Sequence, residues 1–499
     1  MKNNSVVSLI HDQTVKGYPP DPPYSPPQKY PETPDNFDVS PENRVYDMVR
    51  ELLRQLDLDT EHYGSSEWNP LGQFIQPGNT VVVKPNLVSS NHRLGEEGII
   101  GITTHGAVLR PIVDYVYKAL QGKGEIIICD TPMEGADFDK ISQITGLKEL
   151  VAYLKIKEYP IELIDLRKYV TIFFMGGKTK RYNQNGDPNG YKIVDLRNQS
   201  EFHELDKRAQ NYHTLADRTV DHYDPFCKDI GIPNKHHYPG KHEYLISGTI
   251  LNADVVISVP KLKTHGKAGV TLSLKNTVGI VSGKDYMPHH RPGNSPCGDA
   301  FSTPPPREFI KHRFLRREIA RSIYWLQYLI GEQTMKRIAY FGRKWILERF
   351  WPVKSEKKYI EWGDWHGNDT LWRTILDLNK ILMYCDKNGI LKDTPQRKYF
   401  SLIDGIIGQE GQGPTMGKPK HTSLLIGGSD PVAVDTISAM MMGFDPKKIK
   451  TIVKTRCLEK YFLGSCDIAK IKIACNVDLE KIYQNKFKTP NGWEGYIEK

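Results

Sequence analysis

At 499 residues the chain exceeds the roughly 100–200 residues typical of one domain, so two subdomains or one elaborated core are expected, with length enough to bury a sizeable interior. The net charge of +9 is local: between Arg307 and Pro352 eleven Lys/Arg face four Asp/Glu, and without a helix-turn-helix, zinc-finger or aromatic RNA-binding signature this does not argue for specific nucleic-acid binding. Seven cysteines (Cys129, Cys227, Cys297, Cys385, Cys457, Cys466, Cys475) form no Cys-x-x-Cys pair, so no zinc knuckle or iron–sulfur cluster is expected, and reduced thiols in a cytoplasm fit best.

The N-terminus lacks the charged and apolar regions of a secretory signal, and no run reaches the roughly 18 apolar residues of a membrane span, so a soluble protein is expected. Residues 19–34, PPDPPYSPPQKYPETP, hold eight prolines. Each fixes φ and lacks an amide donor, which rules out helix or central strand, so residues 1–43 are expected as an extended arm. Its Tyr18, Tyr24 and Tyr30 either pack it onto the surface or meet a partner. From Glu42, ENRVYDMVRELLRQL sets Val45, Met48, Val49, Leu52 and Leu53 at helical spacing, an amphipathic helix. NTVVVKPNLVSS then carries a continuous valine run ended by Lys84-Pro85-Asn86, the mark of a strand buried on both faces and usually parallel.

The alternation repeats. AVLRPIVDYVYKALQ and LKELVAYLKIK read as helices, and GEIIICDTP, IELIDL, ADVVISVPKL and YFSLIDGIIG as strands. Strands alternating with helices predict an α/β fold, a mainly parallel sheet layered with helices, begun by residues 44–300 and completed by 353–499. About Val170 to Glu243 the chain is polar and weakly periodic, an excursion over the sheet. Residues 301–352 are expected as a basic helical insertion of two amphipathic helices, either packed on their own domain or docked peripherally on a membrane or protein partner.

In such sheets ligands bind beyond the carboxyl ends of the strands, and the polar clusters sit there: Lys84-Pro85-Asn86, Asp130-Thr131, Lys261 to His265, and Asp404-Gly405. Buried lysine is costly, so Lys261, Lys263 and Lys275 should face an anionic ligand or a carboxylate partner. His265, His289 and His290 are candidate ligands of a divalent metal if the intervening loop folds back, with surface or hydrogen-bonded histidine as the alternative. Thr103-Thr104-His105 before a helix either hold an anion or simply cap it. Asp404 opens a glycine-bearing loop, Asp430 before Pro431 suits an N-cap, and Asp435 one turn later is the better ligand contact. In WHGNDTLW the tryptophans suit packing, while His366 and Asn368 are placed to reach the site.

VVVKPNLV, ADVVISVPKLKTHGKAGVTLSLKNTVGI, MPHHRPG, WHGNDTLWRTILDLNKIL, GQGPTMGKP and GGSDPVAVDTISAMMMG together resemble the family of domain of unknown function 362, from about residue 5 to residue 470. Many of that family carry cysteine-rich iron–sulfur modules, and this sequence has none. More distantly, the layout from the Ala253-Asp254 strand to the paired histidines is similar to that of lactate racemases using a nickel pincer nucleotide. There a lysine tethers the cofactor and histidines ligate nickel or move protons; the resemblance gives those roles to Lys275, His265 and His289 or His290. Leu272-Ser273-Leu274 replace the racemase's Gly-Gly-Arg, and Asp130-Thr131-Pro132 its proton-moving histidine.

The resulting expectation is an enzyme acting on a small anionic metabolite, a hydroxy or sugar acid or a phosphorylated compound, with His265, Lys275 and Asp404 catalytic. Lys84, Asn86, Thr104, Lys261, Lys263 and Asn276 would bind ligand or cofactor. The alternatives are a phosphoryl or nucleotidyl transferase with Asp404 and Asp435 on magnesium, and a non-catalytic membrane-associated ligand-binding protein.

Overall fold

The computed structural model describes residues 5–34, 38–173, 179–206, 213–214, 233–291, 294–295, 298–303, 360, 362–458, 460–478 and 486–498. Its centre is a ten-stranded sheet: β1 (Ser5–His11), β2 (Thr80–Pro85), β3 (Glu125–Asp130), β4 (Ile161–Asp165), β5 (Val255–Val259), β6 (Lys261–His265), β7 (Gly269–Thr271), β8 (Lys398–Glu410), β9 (Lys418–Gly428) and β10 (Ile471–Cys475). The order is β10-β1-β9-β8-β5-β2-β3-β4, with β6 branching from β8 and carrying β7. From β8 to β4 every pairing is parallel. β9 runs antiparallel to β8 and β1.

The apolar runs are buried on both faces, as expected of parallel strands. Val81 and Val83 enter one core and Val82 the other, and Ile126 and Ile128 are divided from Ile127 and Cys129 in the same way. The first core is roofed by α1 (Arg44–Gln55), α3 (Gly106–Leu120) and α4 (Leu147–Ile156); short α2 (Gly95–Ile102) precedes α3. On the opposite face lie α5 (Ser273–Asn276), α6 (Leu371–Tyr384) and α7 (Pro431–Met441). Asp430 caps α7 as its sequence context predicts, its Oδ1 accepting from the amides of Val432 and Ala433 at 2.9 Å.

Residues 5–11, within the expected arm, form β1 between β9 and β10. That seven-residue apolar stretch has too little context for its partners, over 400 residues onward, to be read locally. The proline-rich stretch is irregular and packed down by its tyrosines: Tyr24 and Tyr30 are buried, and Asn43 Nδ2 donates to the carbonyls of Tyr24 and Ser25 at 2.8 and 2.9 Å. The excursion after Val170 contains a hairpin (Tyr169–Phe173 with Thr179–Asn183) and strands Tyr191–Asp195 and Lys241–Ser247 paired beside the sheet. The basic segment 307–352 lies outside the described residues.

Candidate functional site

β6 alternates: Lys261, Lys263 and His265 share one face while Leu262 turns into the core. That polar face meets the carboxyl ends of β2 and β3. Lys84, buried at the end of β2, pairs with Asp130 at the end of β3 (Nζ to Oδ1 2.7 Å), and Asp130 Oδ2 accepts from the Leu87 amide at 2.7 Å. The fit is tight enough to require glycine at 279, where a Cβ would stand 1.9 Å from Asp130 Oδ1 and 2.3 Å from Lys84 Nζ.

A polar chain extends from this pair. Asn276 Nδ2 donates to Lys84 O (3.1 Å) and Ser258 Oγ (2.9 Å), and its Oδ1 accepts from Asn86 Nδ2 at 3.3 Å. Asn86 Oδ1 accepts from Lys263 Nζ at 2.6 Å, and Lys263 also donates to the Ile102 carbonyl at 2.7 Å. Thr104 Oγ1 donates to Val259 O at 2.6 Å and accepts from the Asn86 amide at 2.9 Å. Lys84, Asn86, Thr104, Lys263 and Asn276, distant in sequence, thus join one network.

Lys261 and Asp404 occupy a separate knot. Lys261 Nζ donates to Asp404 Oδ2 (3.0 Å) and to Tyr18 OH (2.6 Å); Tyr18 OH in turn donates to Asp404 Oδ1 at 2.7 Å. The His105 amide reaches Asp404 Oδ2 at 3.1 Å, and the Tyr18 and His105 rings stack at 4.0 Å. Both members of the ion pair are wholly buried, so the Asp404 carboxylate is spent within the fold. His105 itself caps α3, its Nδ1 accepting from the Ala107 amide at 3.2 Å, and burial followed by the Lys261 charge holds it down at about 3.

The histidines differ in what their second nitrogen offers. His265 Nδ1 accepts from the amides of Lys267 (3.1 Å) and Ala268 (3.3 Å), which places the proton of the neutral ring on Nε2. His289 Nδ1 donates to the Met287 carbonyl at 2.9 Å, leaving an Nε2 lone pair. Burial, reinforced by Lys275, Lys267 and Lys263, pushes His265 well below its ordinary value. Burial, partly opposed by the Met287 carbonyl, brings His289 to about 3, with Lys267, Lys275 and Lys284 acting in the same direction as burial. Both rings are neutral at pH 7, one a fixed donor and one a fixed acceptor.

His290 follows His289 in the strand Pro288–His290 and faces the other way, its ring edge-on to Trp362 at 6.4 Å. Asn368 ties this strand to α6: Nδ2 donates to the His289 carbonyl at 3.0 Å and Oδ1 accepts from the Leu371 amide at 2.9 Å. His366 is stacked on Tyr496 at 4.0 Å.

Lys275 rides on α5, whose first amides are held by Asp435: Ser273 N to Oδ1 2.7 Å, Leu274 N to Oδ2 3.0 Å. Asp435, expected as a ligand contact, therefore fixes the helix that carries Lys275, and burial raises it to about 7. Lys275 keeps partial exposure, as do Asn86 and His289. Among the described residues no carboxylate lies within ion-pair distance of Lys263, Lys275 or Lys284. Burial first, then the charges of Lys284 and Lys84, brings Lys275 down to about 7. Lys284, at about 8 chiefly through burial, donates to Thr131 Oγ1 (2.9 Å), Thr131 O (3.1 Å) and Val278 O (3.2 Å).

Sequence reasoning passed over Lys284, Lys267 and Glu134. Lys284 stands in Ser-Gly-Lys-Asp, which reads as a solvated turn. Lys267 is buried and paired with Asp364 at 3.2 Å, and Glu134 is buried and raised to about 7 by desolvation. The glycines read as a ligand-approaching loop act inside the sheet: a Cβ at Gly408 would lie 2.4 Å from the Leu262 carbonyl, and one at Gly413 2.0 Å from the Thr264 carbonyl. A second cleft, of about 430 Å³, lies between the arm and α3, lined by Glu32, Tyr46, Asp114 and Tyr117; its acids are already paired, Glu32 with Arg50 and Asp114 with Arg110.

As metal donors these residues fit partially. His289 presents a free lone pair, whereas the Nε2 of His265 bears hydrogen, and among the described residues no group of three or more His, Cys, Asp or Glu is placed to hold an ion.

Fold and rim together define a mixed α/β protein with a cluster of lysines and histidines at the carboxyl ends of a largely parallel sheet. The family described as domain of unknown function (DUF362) matches residues 81–183 and 186–440, and the chain belongs to that family. It is also similar to thylakoid-associated protein sll1697 of Synechocystis sp., at 20% identity over 382 residues, 77% of this chain and 68% of that protein. Among the described residues no helix is long and apolar enough to cross a membrane.

Proposed function

We propose that the protein is an enzyme that moves a proton on a small anionic metabolite, a hydroxy or sugar acid or a phosphorylated compound, at this cluster. One observation carries the reading: Lys263, Lys275 and Lys284 lack carboxylate partners among the described residues and surround two neutral histidines of opposite tautomer. Burial and mutual repulsion hold these amines toward their neutral form, and an anionic ligand would supply the counter-charge that lets them protonate. The Nε2 of His289 would take the proton while the Nε2–H of His265 donates to the oxygen on which negative charge develops. Lys84, Asn86, Thr104 and Asn276 position the lysines. The spacing of His265, Lys275 and His289, similar to that of the nickel-pincer lactate racemases, supports the same chemistry. A divalent metal would have His289 Nε2 as its available donor and would supply Lewis-acid polarisation of the substrate; the His265 Nε2–H suits an oxyanion better than a metal. The phosphotransfer alternative is less favoured, because Asp404 and Asp435 have their oxygens occupied.

A calorimetric titration with phosphate, lactate and glycerate tests this, together with elemental analysis of the protein. Binding of one anion per chain, weakened at least tenfold in Lys263→Met, is expected; unchanged binding in that variant refutes the site. Loss of solvent-hydrogen exchange into the bound hydroxy acid in His289→Ala tests the base.

The name of the Synechocystis relative and the charge excess of 307–352 favour a second reading, in which this cytoplasmic protein is also held peripherally at a membrane. Sedimentation with anionic vesicles, abolished by deleting 307–352, tests it.

A further inference from the structure

We infer that Lys275 is a covalent residue, an amine that forms an imine with the carbonyl group of a small keto or aldehyde acid. This deepens the proposed function and rests on the cluster binding an anion. The evidence begins with what Lys275 lacks. Its neighbours are committed: Lys84 to Asp130, Lys263 to Asn86 Oδ1 and the Ile102 carbonyl, and Lys284 to Thr131 and backbone carbonyls. Among the described residues Lys275 Nζ makes no hydrogen bond and meets no carboxylate, and the residue keeps partial exposure to solvent. A nitrogen serving structure would be bonded as the others are.

The support beneath it is rigid. Both oxygens of Asp435 hold the first amides of α5, and Asn276, the next residue, is locked across β2 and β5 by Lys84 O and Ser258 Oγ. The charges facing Lys275 are Lys84, Lys263, Lys284 and the neutral rings of His265 and His289; Asp130 is already engaged by Lys84 and Glu134 is near Lys284. Burial first, and then the charges of Lys284 and Lys84, favour the neutral amine, consistent with its value of about 7. The neighbouring lysines hold the acid group of the incoming molecule, so its carbonyl arrives beside an amine that is substantially deprotonated at neutral pH.

The chemistry balances within this residue set. The neutral amine adds to the carbonyl carbon, forming the C–N bond while the π pair moves to oxygen, which accepts a hydrogen bond from His265 Nε2–H. His289 Nε2 moves one proton from the adduct nitrogen to the oxygen, giving the carbinolamine. A second proton, equal to the one Lys275 gave to solvent on becoming the neutral amine, returns from solvent to that hydroxyl, which leaves as water when the nitrogen lone pair forms the C=N bond. Overall an ammonium and a carbonyl become an iminium and one water, with no change of oxidation level. The iminium then acidifies the adjacent C–H, for which His289 is the base on hand.

The test is reductive trapping. Full-length protein is incubated with pyruvate or glyoxylate and sodium cyanoborohydride from pH 6 to 9, followed by intact-mass and peptide mapping. The expected result is one adduct per chain, on Lys275, forming at a rate that rises through a midpoint near pH 7 rather than near the pH of an ordinary lysine. Lys275→Met should remove it, while Lys148→Met, a surface control, should not. If Lys275→Met does not fold, the mapping in the unaltered protein decides. Adducts scattered over exposed lysines with Lys275 unmodified overturn the proposal. No adduct while the probe still raises the melting temperature overturns the imine and leaves anion binding standing; neither adduct nor shift overturns both.

Discussion

Two lysine clusters on the same rim make opposite use of the same residue type. In the knot of Lys261, Asp404, Tyr18 and His105, every charge meets its counterpart inside the fold and nothing is left for a ligand. A few residues along the same strand face, Lys263 meets, among the described residues, only an amide oxygen and a carbonyl, and beyond it Lys275 makes no hydrogen bond or ion pair among them. Burial is comparable, but compensation is not. A closed knot strengthens the joint between arm, β6 and β8, whereas the open cluster gathers amines whose charge is suppressed by burial and can be restored by an incoming anion.

This contrast can be broken experimentally. The largest effect should come from Asp404→Ala, which strands a fully buried Lys261: a loss of about 3–5 kcal/mol in urea denaturation, or failure to fold, is expected from breaking one side of a buried pair. If Asp404→Ala were neutral, the knot would not be structural. Tyr18→Phe removes the hydroxyl shared by Lys261 and Asp404 and should cost about 1–3 kcal/mol by the same measurement.

Lys275→Met should behave differently. The folded protein releases the Lys275 proton near pH 7, the unfolded chain near 10.4, so between these values the unfolded chain binds more protons and stability rises with pH. The variant should lose that share of the rise and be no less stable than the parent at pH 7, as read from melting temperatures between pH 6 and 10. The smallest effect belongs to Lys148→Ala, which removes an exposed pair with Asp139 and should leave the urea midpoint nearly unchanged, the more so at high salt.

Much of the framework was readable. The valine and isoleucine runs that end in Lys84, Asp130 and Lys261 are two-faced by composition, and their strand assignments held because a run of that length has few other ways to be buried. The Asp430-Pro431 cap held because capping is local, a carboxylate and the next two or three amides. The separation of His289 from His290 follows from strand alternation, but only once residues 288–290 are known to be extended. The assignment of Asp404 to the knot was hidden because its partner Tyr18 stands 386 positions away in a proline-rich stretch with no periodicity.

The layered α/β class, the strand ends at which polar residues gather, and the excess of nitrogen side chains there are all legible along the chain, since each depends on patterns within a dozen residues. Which lysine is paired, which is left open, and which histidine nitrogen is committed were decided by tertiary structure alone. Those outcomes turn on the few ångströms between side chains brought together from distant segments, over which a hydrogen bond forms or fails and an ion pair strengthens or fades.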